Sequence, residues 1–281
     1  MSETLPNLPR VAWWQHVRNW LLSKVAVRIY WFVNIALLAG TAIWILRDGK
    51  FSEGVATFAK HIAAVGSDRS PLAVVQPLMW PRVDALWFVL ITGAASTAGI
   101  LAGLVAGSSA HRGLRSWLAL MLLTAGWLTL FTTWPELAWR GQAWRLRGSV
   151  SEFELVHREL TSNWPKEDGQ IDSIGPYMAY PIGNPRLLML LKTPQVAATS
   201  VSTIERGEKT DMRFQLAGND EGVWLVRETG VDQPQAFFSG LDGEYIPIKY
   251  APLLPSWFLV QYKFAPILPD ESREISRPLR K

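Results

Sequence analysis

The stretch ALWFVLITGAASTAGILAGLVAGSSA, residues 85–110, runs for 26 positions without a charge. As a helix rising about 1.5 Å per residue it reaches roughly 39 Å, against a hydrocarbon core of about 30 Å. Two more uncharged apolar runs, Ile29–Leu46 (18 residues) and Ser116–Pro135 (20 residues), flank it. They reach roughly 27 and 30 Å as helices. Water penalises such runs where lipid accepts them, so the chain reads as an integral membrane protein with three transmembrane α-helices. The first run is longer than a signal-peptide core and ends in Arg47-Asp48-Gly49 rather than a small-residue cleavage site, so it reads as an uncleaved anchor.

Within the 85–110 stretch, Ala95, Gly99, Gly103 and Gly107 recur every fourth residue. That spacing sets them on one helical ridge, where another backbone can approach closely. Glycine disfavours an exposed helix interior by about 1 kcal/mol relative to alanine, so its repetition points to packing. The expected partner lies within the chain: span 1, where Ala36 and Gly40 share the spacing, or span 3. Another protein or a second copy docking on span 2 is the alternative. Fifteen tryptophans add a second signal. Trp13, Trp14 and Trp20 precede span 1, Trp31 and Trp44 bracket it, and Trp117 and Trp134 bracket span 3. Indole rings favour the membrane–water interface, so these residues are expected to meet lipid there.

Basic residues set the expected orientation. Residues 1–28 with the 111–115 hinge carry net +5, the 47–84 loop +1, and 136–281 net −2. The hinge arginines Arg112 and Arg115 favour a cytoplasmic N-terminus, which leaves the C-terminal domain extracytoplasmic. The basic excess adjoins membrane runs rather than the polar domain, so nucleic acid is not an expected partner. The chain divides into four segments on this reading. Residues 1–28 hold an interfacial helix with Val11, Trp14, Val17, Leu21 and Leu22 at helical spacing. Residues 29–135 form the membrane region. Its loop, 47–84, carries an amphipathic helix marked by Phe51, Val55, Phe58, Ile62 and Val65. Residues 136–268 form a soluble domain, and 269–281 read as a disordered tail.

The soluble domain is expected to be α+β. Ser151 and Glu154 have capping-box spacing ahead of a helix at 151–163, whose Phe153, Val156, His157 and Leu160 share a face. Residues 165–185 read as irregular. Strands are expected at 186–192, 199–205, 212–216, 223–228, 235–239, 244–250 and 256–264, making a mainly antiparallel sheet with one leading helix. Phe258, Val260, Tyr262 and Phe264 alternate onto one side of the last strand.

Chemistry is sparse. The spans hold no acid or histidine, and Asn34 is their most polar side chain. Without cysteine there is no disulfide or thiolate site. Glu154-x-x-His157 has a metal-presenting spacing, yet further helices would have to supply the other ligands, so His157 reads as a core residue. No G-x-S-x-G, P-loop or dinucleotide fingerprint is present. Asp168, Asp172, Asp220, Glu221, Asp242 and Glu244 fall in turns, where solvation explains them. No catalytic, metal or cofactor residue is assigned. The expected role is a non-catalytic, membrane-anchored protein presenting an extracytoplasmic binding or assembly module. The alternative is an accessory subunit of a membrane enzyme or transporter.

Overall fold

The computed structural model describes residues 19–65, 79–106, 113–192, 195–196, 199–207, 210–216, 222–239 and 243–266. Expectations for Trp13, Trp14, most of the interfacial helix, Gly107 and the tail fall outside them. The chain divides into two compact units, Met1–Gln142 and Ala143–Lys281.

Among the described residues, three helices are long and apolar enough to cross a membrane: α1 (Lys24–Arg47), α3 (Trp80–Ala106) and α4 (Leu114–Ser162). Ser23 starts α1 as its N-cap, its hydroxyl accepting from the Ala26 N–H at 3.2 Å. Between α1 and α3 lies α2 (Phe51–Val65). Its inward face carries Phe51, Gly54 and Ala64, while Ile62 is exposed. Phe51, Val55 and Phe58 of the expected stripe do pack inward, and Gly54 widens that face by seating against the Arg82 side chain of α3. At the end of α1, Asp48 accepts two hydrogen bonds from Arg82 (2.8 and 2.9 Å) and one from the Trp44 indole (3.0 Å). Trp44 and Trp134 both set their rings against Phe51, whereas Trp20 is exposed. Trp31 is half-buried and Trp117 is exposed.

The glycine ridge of α3 faces α1. A Cβ on Gly99 would lie 2.6 Å from the Tyr30 ring, and one on Gly103 2.5 Å from Val27 Cγ2. Ala95 is exposed, and so are Ala36 and Gly40. A Cβ on Gly40 would meet nothing within 4 Å. The α1 face that meets the ridge is the one with Val27, Tyr30 and Asn34, a correction to the expected small-on-small pairing. Asn34, fully buried, joins the three helices. Its Nδ2 donates to Ser96 Oγ (2.6 Å), and its Oδ1 accepts from Thr97 Oγ1 (3.3 Å) and Trp127 Nε1 (3.2 Å). Asn34→Leu keeps the volume but strands the Ser96 and Trp127 partners, a loss of about 1–3 kcal/mol. Thermal unfolding of the detergent-solubilised chain reads it, and a midpoint equal to wild type would contradict this account.

The 49-residue α4 carries Pro135 inside it, where the sequence suggested an end and a second helix starting at 151. Proline forfeits one helical hydrogen bond, and nearby Thr132 and Thr133 hydroxyls bond to carbonyls one turn back at 2.7–3.1 Å. Helix-favouring Leu137, Ala138, Gln142, Ala143 and Leu146 then carry the helix on. Ser151 is consequently a helix-interior residue rather than a cap.

In the second unit a nine-strand antiparallel path has the order β1-β2-β3-β5-β6-β7-β10-β9-β8, with β4 beside β5. The strands are β1 (Gly169–Ile171), β2 (Gly175–Tyr180), β3 (Leu187–Leu190), β4 (Gln195–Val196), β5 (Thr199–Arg206), β6 (Met212–Leu216), β7 (Val223–Arg227), β8 (Phe237–Ser239), β9 (Gly243–Leu254) and β10 (Trp257–Pro266). β1 and β2 occupy the stretch read as irregular; Pro, Gly and Asp at their ends obscured them. The β6–β7 hairpin pairs Met212 with Arg227 and Phe214 with Leu225. Alternation makes the sheet two-sided. Phe214 meets Phe153 of α4 edge-on at 5.4 Å between ring centroids. The opposite side holds Trp224, Val226, Phe237, Tyr245, Phe258, Val260 and Tyr262 as one aromatic-rich core.

Candidate functional site

Two polar clusters lie in the sheet unit, one on each side. The first, facing α4, contains both members of the Glu154-x-x-His157 pair. Glu154 Oε2 accepts from the Trp257 indole (3.0 Å) and from Arg227 Nε (3.3 Å). His157 Nε2 sits 2.8 Å from the Thr210 carbonyl, which assigns its proton there. Arg227 Nη1, 3.2 Å from the same nitrogen, therefore has no lone pair to donate to. Glu154 is thus occupied as an acceptor, and the imidazole is buried against the Trp257 ring. Among the described residues, no three His, Cys, Asp or Glu converge on a metal position. This cluster ties the helix to the sheet.

The second cluster opens onto a cavity of about 700 Å³. Register builds it: Glu205 of β5 stands opposite Arg213 of β6, and Arg213 opposite Val226 of β7. An acid and a base are thereby set side by side at the edge of the aromatic core. Glu205, Glu228, Arg213 and Ser239 are at most 8% exposed. Arg213 Nη2 donates to Glu228 Oε1 at 2.8 Å, while Glu228 Oε2 accepts the Gln235 N–H at 3.2 Å. Ser239 donates to Glu205 Oε2 at 2.9 Å. The Arg213 guanidinium lies 4.2 Å from the centre of the Phe237 ring, a cation–π contact. Gly207 makes room for it: a Cβ there would lie 2.9 Å from Arg213 Nη1.

These charges act on their neighbours. Burial, with Glu228 close by, pushes the Tyr262 phenol well above its ordinary value despite the opposing Arg213. Burial and then Glu205 raise Tyr245 likewise. Asp211 accepts from both the backbone and the hydroxyl of Thr229 (3.1 and 3.4 Å), holding the loop after β7 against the cavity. Asn184, Arg186, Arg206 and Phe238 complete the wall.

The buried charged residues of this cavity were not among the sequence candidates. Arg213 alternates with Phe214 as a solvent-facing strand residue would, and only the β5–β6 register reveals its acidic neighbour. Of the turn acids, Asp168 accepts the Ala179 N–H at 2.8 Å, while Asp220, Glu221 and Asp242 fall outside the described residues. The ridge and interface residues belong to the other unit. Comparison of the chain with protein-family models, with curated proteins and with solved structures finds no match.

Proposed function

We propose that the chain is a membrane-anchored, non-catalytic protein that holds its antiparallel-sheet unit outside the cytoplasm as a binding module. The anchor reading is supported by an inverted distribution of polarity in the first unit. The outward positions are apolar (Phe32, Phe88, Ile91, Met121, Leu122 and Phe131 are each more than 60% exposed), while Asn34 and Ser96 are buried. Water would drive such a surface to aggregate; lipid solvates it. The binding reading is carried by one observation, a sizeable cavity walled by buried charges that are held by one another, with the buried Arg213 Nε left without a hydrogen-bond partner. Such networks pre-organise a site before a ligand arrives. The orientation draws on the arginines of the 111–115 hinge and the N-terminal segment.

Enzymatic proximity labelling from a C-terminal fusion of the full chain tests compartment and company together. Labelling confined to extracytoplasmic proteins, with the chain retained in membranes after carbonate washing, is the expected result. Cytoplasmic labelling overturns the orientation, and release by carbonate overturns the anchor. A stoichiometric large membrane partner in mild-detergent extracts would favour the accessory-subunit reading instead.

A further inference from the structure

We propose that a furrow between α3 and α4 holds one acyl chain of a bilayer lipid as a resident ligand; this rests on reading the spans as membrane-embedded. The furrow is a cavity of about 400 Å³, walled by α3 between Val89 and Leu101 and by α4 between Leu123 and Phe131. Both stretches lie inside uncharged runs, so the medium around them is hydrocarbon. Gly93, Ala94, Thr97 and Ala98 give the α3 wall little side chain. Gly93 differs from the glycines of the ridge. Gly99 and Gly103 are pressed by Tyr30 and Val27 of α1, whereas a Cβ on Gly93 would find only Trp127, at 4.0 Å. No neighbour among the described residues requires that position to be bare, and the space it leaves is not taken by the protein.

Dimensions choose the occupant. At about 1.5 Å per residue the α3 wall rises about 18 Å and the α4 wall about 12 Å. A furrow of about 15 Å matches one leaflet, half of a hydrocarbon core of about 30 Å. Spread along that length, 400 Å³ leaves a channel about 6 Å across. A polymethylene chain, whose carbons make contact at about 4 Å, fits that width, while a helix is about 10–12 Å across. A neighbouring helix can send a side chain into the furrow but cannot lie in it. The polar hydrogens of the wall are already spent. Thr97 Oγ1 and Trp127 Nε1 donate to Asn34 Oδ1 at 3.3 and 3.2 Å, and Thr124 Oγ1 donates to the Leu120 carbonyl at 2.9 Å. The furrow thus presents hydrocarbon, and an apolar cavity of this kind takes apolar molecules rather than water. Leu90, Leu101 and Phe131, each more than 40% exposed, stand beside it. They add dispersion contacts on the flanks of a chain, which an open helix face does not supply.

The test is photolabelling of the full chain in phosphatidylcholine vesicles that contain a phosphatidylcholine bearing a diazirine on one acyl chain, followed by proteolysis and mass spectrometry. Adducts are expected to concentrate on residues 89–101 and 123–131. They should exceed severalfold those at Phe32, Met121 and Leu122, which lie outside the furrow and are each more than 60% exposed. The Gly93→Leu/Ala98→Leu variant should lose the furrow adducts and keep the others. Its unfolding midpoint in detergent should equal or exceed wild type, because the added side chains fill open space; that reading separates loss of the chain from misfolding. Adducts that follow exposure alone, or furrow adducts undiminished in the variant, overturn the proposal. A check independent of that variant uses the absence of cysteine, since Ala98→Cys sets a single thiol in the furrow. The reconstituted Ala98→Cys chain is expected to stay monomeric under mild oxidation, and disulfide-linked dimers would assign the furrow to a second copy and overturn the proposal. Absence of adducts everywhere would overturn the anchor reading together with the proposal, whereas absence from the furrow alone overturns only the proposal.

Discussion

Glu228→Ala is expected to lower the stability of the full chain by about 3–5 kcal/mol, the range for removing one partner of a buried ion pair. The variant leaves the Arg213 guanidinium, with a side chain only 10% exposed, facing the aromatic core without its carboxylate. Arginine cannot escape by losing its proton at any accessible pH. The Gln235 N–H, which donates to the second oxygen of Glu228, loses its acceptor too. Denaturant unfolding monitored by tryptophan fluorescence reports the change, since Trp224 sits in the same core. Adding Arg213→Met should restore most of the loss, because an apolar side chain of similar length fills the space over Phe237 without stranding a charge. A single variant within about 1 kcal/mol of wild type would show that water reaches the pair freely.

The second large effect belongs to Gly141→Ala. Gly141 of α4 is buried against the end of α1, and an added Cβ would fall on the Leu46 carbonyl oxygen and 2.7 Å from the Leu46 Cα. Those atoms are backbone, so no rotamer change relieves the clash, and a loss of about 3 kcal/mol, the upper end of overpacking, is expected. Gly148→Ala on the same helix meets nothing within 4 Å and should stabilise instead, by about 0.5–1 kcal/mol from helix propensity and chain entropy. The same chemical change thus has opposite signs at two positions on one helix. Unfolding midpoints of the two variants in detergent decide it; equal shifts would remove the packing explanation. Gly99 and Gly103 are softer cases, since they meet the Tyr30 ring and the Val27 methyl, which can turn aside.

The contrast among glycines shows where sequence reasoning reached and where it stopped. The Gly99–Gly103 spacing identified a ridge on α3, because a period of four residues is a property of one helix. It could not say that Val27 and Tyr30 would fill that ridge, or that Gly40 would face outward. Gly141 carried no periodic signal; its importance comes from meeting the end of α1, a segment far earlier in the chain. Pro135 misled for a related reason. A proline disrupts one hydrogen bond locally. Whether the helix continues depends on the propensity of the residues beyond it and on groups available to satisfy the freed carbonyls.

The sheet divides the same way. The β6–β7 hairpin was legible because Met212, Phe214 and Leu216 alternate before a glycine-bounded turn. β1 and β2 lie amid turn residues and are held by pairing, β1 with β2 and β2 with β3. The Glu205–Arg213–Glu228 cluster, on which the candidate site depends, arises from strands whose offset no single segment encodes.

By itself, the sequence determined the three long apolar helices and the strand-forming character of the C-terminal half. Both result from transfer of each residue between water and an apolar phase, summed over a short window. Only the tertiary structure decided which glycines are closed, which helix accepts the ridge, and which buried charges converge on a cavity. Those outcomes depend on register and close approach between distant segments, where one residue of slip turns a side chain to the opposite face.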